Sequence, residues 1–191
     1  MDGAGRTTGS TPLPTGVLWR RAATQLATRL GVFPGDRVVV AAPPDHDPTE
    51  HLASRLPRVS FLRIGGSGPF RFPVERTRAP RLGWVRGDPR DPPVQAERIE
   101  VVALMFGFPL LDEPEHAELV GAWADVLPAF GKWFELVAAE GPDDPNIGLA
   151  EDHLRENGFE KVRSTRLALG RMGSALYLVS GRATGPSDEE E

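Results

Sequence analysis

The chain has 191 residues, of which 40% are hydrophobic, and carries a net charge of −5. This length is enough for one domain with a sizeable core. The acidic balance argues against a general nucleic-acid binder, which needs a basic face. The chain has no cysteine, which excludes disulfides, thiolate metal sites and a cysteine nucleophile.

The two ends of the chain predict polar extensions around a single domain. Residues 1–15 are rich in Gly, Thr and Pro and lack the apolar region of a signal peptide, so we expect a flexible arm. Residues 184–191 predict a disordered acidic tail. Because no apolar run has transmembrane length, we expect a cytoplasmic protein. Arginine outnumbers lysine 20 to 2, a bias typical of a high-GC bacterium.

Helices and strands alternate along residues 16–183, which we expect to form one domain. In its first half, the predicted elements are a helix over 17–30, a buried strand over 37–42, a helix over 47–56 and a strand over 59–64. Asp47, Pro48 and Glu50 are typical of a capped helix start. Residues 65–81 are irregular and have room for two short extended pieces.

The second half continues the alternation and ends in a hairpin. The predicted elements are strands over 82–85, 99–106 and 133–138, helices over 115–130 and 147–157, and an antiparallel pair over 162–169 and 174–180. Strands that alternate with helices predict a mostly parallel sheet with helices on both faces. The fold class is therefore α/β, a doubly wound sheet with a C-terminal antiparallel hairpin.

The loop after the first strand is unusual for this fold class. In a nucleotide-binding α/β fold, glycines here let backbone N–H groups approach the ligand. Residues 42–47 read Ala-Pro-Pro-Asp-His-Asp and contain no glycine. Proline has no N–H to donate and restricts the residue before it. The loop therefore does not predict the usual mode of cofactor binding.

Six segments carry a family resemblance. In chain order they are Gly16-Val17-Leu18-Trp19-Arg20-Arg21, Gly35-Asp36-Arg37-Val38-Val39-Val40-Ala41, Gly87-Asp88-Pro89-Arg90-Asp91-Pro92-Pro93, Met105-Phe106-Gly107-Phe108, Leu127-Pro128-Ala129-Phe130-Gly131-Lys132-Trp133 and Glu156-Asn157-Gly158-Phe159-Glu160-Lys161-Val162. In their order and local sequence, these segments resemble the class I S-adenosylmethionine (SAM) methyltransferases, and within them the ubiquinone/menaquinone-biosynthesis C-methyltransferases. The resemblance covers roughly residues 16–182.

The resemblance implies a SAM site, and the sequence departs from the family's pattern at that site. The family's glycine loop is replaced by residues 42–47. The acid that holds the ribose hydroxyls has no counterpart, because the second strand ends Leu62-Arg63-Ile64-Gly65. The helix between the second and third strands is missing or reduced to residues 65–81. Asp88, at the position that faces the adenine, is the one feature retained.

Two histidines are candidate catalytic residues. His46 follows the first strand and His116 opens the helix after the fourth, so both belong to the edge of the sheet where ligands bind. Either imidazole could move a proton near neutral pH. Capping of helices by the neighbouring acids is the alternative interpretation. We expect no metal site, because the separation of His46 and His51 by five residues does not align them on one helix face.

Aromatic and arginine side chains give further candidates. Phe106, Phe108 and Trp19 are candidate walls of a pocket for a flat substrate, with Asp88 beside them. Core packing is the favoured interpretation for most such aromatic residues, and Phe106 and Phe108 are the exception because they lie at the end of a strand. Trp84 and Met105 belong to the same group. A locally basic run could bind an anion or form a salt-bridged surface; it comprises Arg71, Arg76, Arg78, Arg81, Arg86 and Arg90.

Three functions remain open from the sequence. The first is a catalyst that has lost SAM binding and, without a cofactor, promotes cyclisation, rearrangement or proton transfer on a small hydrophobic intermediate. The second is an active but divergent SAM-dependent methyltransferase. The third is a non-catalytic partner, either in a homodimer or with an active methyltransferase homologue.

Overall fold

The computed structural model describes residue 13 and residues 16–65, 68–70, 81–92, 99–169 and 175–184. The predicted N-terminal arm and acidic tail lie almost wholly outside these ranges, as do most of residues 65–81 and the turn of the C-terminal hairpin. Three members of the arginine run, Arg71, Arg76 and Arg78, are also outside them. Within the described ranges, no helix is long and apolar enough to cross a membrane.

Five α-helices, two short 3₁₀ turns (Pro44–His46 and Gly68–Phe70) and seven strands are described. The helices are α1 (Gly16–Arg29), α2 (Thr49–Arg55), α3 (Gly107–Leu110), α4 (Glu113–Ala124) and α5 (Pro145–Glu156). The strands are β1 (Arg37–Ala41), β2 (Ser60–Gly65), β3 (Leu82–Arg86), β4 (Val101–Met105), β5 (Lys132–Ala139), β6 (Phe159–Leu169) and β7 (Ala175–Ala183).

The seven strands form one mixed sheet in the order β3-β2-β1-β4-β5-β7-β6. The first five strands along this order are parallel, whereas β7 runs antiparallel to both β5 and β6. This confirms the predicted fold class. The carboxyl ends of β1 to β5 share one edge of the sheet, which is where open α/β sheets bind ligands.

Each face of the sheet is covered by its own helices. Leu26 of α1 and Leu52 of α2 pack on one face with Val40 of β1. On the other face, Trp123 of α4 and Leu154 of α5 pack on Trp133, Val137 and further apolar strand residues. The strands β1 and β4 are buried from both sides, which explains their uninterrupted apolar sequence.

The region around α4 differs from the sequence prediction. α4 starts two residues earlier than predicted and stops at Ala124 instead of residue 130. Pro128 cannot continue a helix, and Phe130 adopts a left-handed backbone with φ of 67°. The short helix α3 was not predicted. The expected capping is confirmed, because Asp112 and Glu115 form a reciprocal capping box.

Candidate functional site

The loop after β1 folds into a short 3₁₀ turn, Pro44–His46, in which few backbone donors remain. Pro43, Pro44 and Pro48 have no N–H. The N–H of His46 donates to the carbonyl of Pro43 over 3.0 Å. The loop therefore presents a sparse set of donors at an edge of the sheet where anionic ligand groups are normally held by backbone N–H groups.

Asp47 ties this loop to β2. Its carboxylate accepts hydrogen bonds from the backbone N–H of Thr49, at 2.8 Å, and from the Thr49 hydroxyl, and it forms an ion pair with Arg63 of β2. The Asp47 side chain is 2% exposed and that of Arg63 is 18% exposed. The predicted helix start is thus shifted, since Pro48 precedes α2 and Asp47 caps it from outside.

The sequence drew attention to Arg63 only as the place where an acid is absent. Its pairing with Asp47 was not anticipated. The sequence did contain a signal, because Arg63 is the one charged residue of a mostly apolar strand. In a parallel sheet this strand lies beside β1, whose loop is rich in acids. A charge in such a strand needs a partner because its desolvation is costly.

Trp19, His46 and Phe106 form an aromatic cluster above β4, on the face covered by α1 and α2. The ring centroids are 5.5 Å apart for Trp19 and His46, 5.3 Å for His46 and Phe106, and 5.8 Å for Trp19 and Phe106. Phe106 is fully buried and His46 is 8% exposed. The sequence analysis named all three as candidate site residues, and here their rings pack against one another.

His116, Glu135 and His153 form a buried polar cluster on the opposite face of the sheet. His116 lies on α4, Glu135 on β5 and His153 on α5. The His116 Nε2 atom is 2.9 Å from each oxygen of the Glu135 carboxylate, and its Nδ1 atom is 2.8 Å from Nδ1 of His153. His116 and Glu135 are completely buried.

The contacts of this cluster set the geometry of its hydrogen bonds. A carboxylate oxygen accepts, so the contact with Glu135 is made through an N–H at Nε2 of His116, and a hydrogen bond between the two facing Nδ1 atoms needs an N–H on one and a lone pair on the other. A second proton at that contact would place two N–H groups against each other. Burial, reinforced by the charge of His116, lowers the pKa of His153 below its ordinary value.

The turn after β4 is built around the cluster. Phe108 stacks on the His116 ring with centroids 4.3 Å apart and an angle of 19° between the planes. A Cβ atom on Gly107 would lie 2.5 Å from Oε1 of Glu135 and 2.8 Å from Cδ2 of His116, so only glycine fits. Phe106 before it takes a left-handed backbone with φ of 63°, which is uncommon for a bulky residue.

The predicted pocket residues therefore divide between two faces. Phe106 and His46 pack on the α1 side of the sheet, whereas Phe108 and His116 pack on the α4 side. The sequence missed Glu135 and His153. A lone acid in an apolar strand and a histidine on the apolar stripe of a helix were the signals. No group of His, Asp and Glu side chains in the described ranges has an arrangement that holds a metal ion.

Asp88 is engaged by a neighbouring arginine. The Arg90 guanidinium donates to both oxygens of Asp88, at 3.1 and 2.9 Å, and also to Glu115 at 2.8 Å. The hydrogen bond to Asp88 is the main reason why the pKa of Arg90 is raised. The indole N–H of Trp123 donates to the carbonyl of Pro89 and fixes this loop to α4.

Comparison with known proteins gives structural matches alone. No family model and no curated protein matches the chain. Among solved structures, SibL, a SAM-dependent methyltransferase in its apo form, is 18% identical with a TM-score of 0.65, over 85% of this chain and 53% of SibL. Geranyl diphosphate methyltransferase in complex with SAM is 12% identical with a TM-score of 0.63, over 84% of this chain and 83% of that protein.

A third match is the putative methyltransferase of Haloferax volcanii in complex with its Trm112 activator. It is 16% identical with a TM-score of 0.64, over 87% of this chain and 90% of its own. The chain has the fold of SAM-dependent methyltransferases. It spans about half the length of SibL. The finer resemblance to the ubiquinone/menaquinone C-methyltransferases stays a prediction.

Several of the residues discussed above lie at the edge of the sheet where this fold binds ligands. The loop after β1, Arg63 near the end of β2, Asp88 after β3 and Phe106 after β4 all belong to the carboxyl edge of the sheet. The cluster of His116, Glu135 and His153 lies behind this edge, beneath α4 and α5.

Proposed function

We propose that this chain keeps the methyltransferase fold without binding SAM in the ordinary way, and that it serves as a non-catalytic partner subunit. The observation that carries the proposal is the ion pair of Asp47 with Arg63. A ribose is held through its hydroxyls by an acid at the end of the second strand in dinucleotide-binding sheets. Here a guanidinium comes from that strand, and it is already engaged with an acid of the loop.

The loop after β1 supports the same conclusion. Three of its seven residues, 42–48, are prolines, and the N–H of His46 is used within the loop. A ligand that depends on backbone donors would find few of them. The residues present therefore do not fit SAM in the way that the fold usually holds such a cofactor, and we derive no methyl-transfer step for this chain.

The positions of the two candidate histidines favour a non-catalytic role. A general base must lie within hydrogen-bonding reach of its substrate. His116 is completely buried and committed to Glu135, and His46 is enclosed by Trp19 and Phe106. These contacts give little support to cofactor-independent cyclisation, rearrangement or proton transfer by either residue.

One of the structural matches shows that a protein of this fold can form a complex with another chain. The Haloferax volcanii methyltransferase was solved in a complex with an activator, so a protein of this fold can act within a pair. We propose a second copy of this chain or an active methyltransferase homologue as the partner. Light scattering of the purified protein distinguishes a homodimer from a monomer that awaits a different partner.

An active, divergent methyltransferase is the second candidate. It is favoured by the likeness to a SAM-bound enzyme and by Asp88, which follows β3 where the resemblance places the adenine-side acid. In that case the Arg90 side chain would have to release Asp88 or share it with the ligand.

Thermal unfolding with and without SAM separates the two candidates. A ligand that binds only the folded state at 100 times its Kd adds about 2.7 kcal/mol of stability. We expect no shift of Tm with 1 mM SAM or S-adenosylhomocysteine. A SAM-binding methyltransferase treated in parallel provides the control, and a shift of several degrees in this chain would favour the second candidate.

A further inference from the structure

A cavity between α1 and β6 lies apart from the residues discussed above. It measures about 260 Å³ and is lined by Arg21 and Gln25 of α1 and by Arg166, Leu167 and Ala168 of β6. Since a water molecule occupies about 30 Å³ in the liquid, this volume holds a small oxyanion together with several waters. A neighbouring groove on α1 shares Arg21 and Gln25 and adds Arg20 and Thr24.

Within the described residues, no acid pairs with the two arginines that line the cavity. Arg21 and Arg166 are both exposed, and neither forms an ion pair with a residue in the described part of the chain. α1 contains no Asp or Glu. Three guanidinium groups, counting Arg20, are thus concentrated in a protein whose net charge is −5.

The edge strand is bulged at the cavity. Arg166 is opposite Tyr177 and Ala168 is opposite Leu176, so β6 carries one extra residue, Leu167, at this point. Leu167 is buried towards the core beneath α1. A bulge changes the direction of the side chains around it and is common beside functional sites. Here it lies where β6 supplies Arg166 to the cavity.

We propose that this α1–β6 cavity is a binding site for an oxyanion, a phosphate or a carboxylate, held by the guanidinium groups of Arg21 and Arg166 with Gln25 as an amide donor. Guanidinium groups bind the planar or tetrahedral oxygens of such anions in pairs of parallel hydrogen bonds. None of the lining residues belongs to the Asp47–Arg63 pair or the aromatic cluster, so the site is separate from the residues on which the proposed function rests.

The test is a titration followed by amide chemical shifts in ¹⁵N-labelled full-length protein. Inorganic phosphate, pyrophosphate and citrate are added separately at constant ionic strength. We expect saturable shifts at residues 20–25 and 166–168 with at least one of these anions, and an affinity that falls about tenfold in Arg21→Gln and in Arg166→Gln. Arg29→Gln, on the same helix outside the cavity, is the matched control and should bind as the wild type does.

The three probes also separate the two classes of ligand. Saturation by phosphate or pyrophosphate but not by citrate assigns the site to a phosphate group, and the reverse assigns it to a carboxylate. Shifts that grow linearly with all three anions, or an affinity that Arg29→Gln lowers as much as Arg21→Gln does, would overturn the proposal. Circular dichroism of each variant confirms that the exposed substitutions leave the fold intact.

Discussion

Arg63 of β2 and Asp47 of the loop after β1 form an ion pair at the carboxyl edge of the sheet, and Asp47 also caps α2 through the N–H of Thr49. A buried ion pair needs further hydrogen bonds to its charged groups, and Oδ1 of Asp47 accepts two of them, from the N–H and the hydroxyl of Thr49. The pair and its hydrogen bonds connect the loop after β1, helix α2 and strand β2. These elements border the edge of the sheet at which the fold normally binds its cofactor.

The ion pair predicts strong coupling between its two members. Arg63→Leu leaves the Asp47 charge buried without its partner and should lower the free energy of unfolding by about 3 kcal/mol. The double substitution with Asp47→Asn should cost less than the sum of the single changes. Urea denaturation of the four proteins measures the coupling. The exposed pair of Arg155 with Asp152 is the control, and its removal through Asp152→Asn should cost less than about 1 kcal/mol.

The cluster around His153 predicts a loss of stability in mild acid. The pKa of His153 is lowered in the folded protein, so the unfolded chain binds more protons below its ordinary pKa of 6.5. Stability is therefore complete above that pH and decreases as the pH falls, by at most about 1.4 kcal/mol per unit for one proton. The negative charges of Glu156, Glu113 and Glu135 act to raise the pKa of His153, but burial and the charge of His116 outweigh them.

A substitution identifies the group responsible. His153→Gln should reduce the slope of the free energy of unfolding against pH between 6.5 and 5.5, as measured by urea titrations at several pH values. The lowered pKa of Glu100 belongs to a carboxylate and acts below this window. An unchanged slope in His153→Gln would assign the pH dependence to another residue.

A substitution at Gly107 should disturb the cluster of His116, Glu135 and His153. Its Cβ position lies against Glu135 and His116, so Gly107→Ala should destabilise the protein by about 2 kcal/mol through overpacking. Gly148 on α5 has open space at its Cβ position. Gly148→Ala should therefore leave stability unchanged or raise it by up to about 1 kcal/mol, because alanine favours a helix. Thermal unfolding compares the two, and equal effects would contradict the packing argument.

Most of the fold could be predicted from the sequence because its signals are local. The continuous apolar run of β1 and the apolar residues along one face of α1 identify buried elements directly. The antiparallel hairpin follows from two predicted strands that are close in sequence. The end of α4 was predicted too late, since the apolar spacing continues to Phe130 although Pro128 and the left-handed Phe130 terminate the helix.

The candidate site was harder to predict because the residues that contact each other there are far apart in the sequence. His116 and His153 are 37 residues apart, and nothing in either segment identifies the other as its partner. The sequence analysis placed Phe106 and Phe108 in one pocket because both lie at the end of the predicted strand over 99–106. The left-handed backbone of Phe106 instead directs the chain so that the two rings pack on opposite faces of the sheet.

Calorimetric titration of the wild-type protein with SAM tests the central claim most directly. The Asp47–Arg63 pair and the proline-rich loop predict no saturable heat at SAM concentrations up to 1 mM, while a SAM-binding methyltransferase titrated under the same conditions serves as the positive control. Saturable binding with a Kd in the low micromolar range, roughly −8 kcal/mol, would contradict the account and make methyl transfer the better assignment.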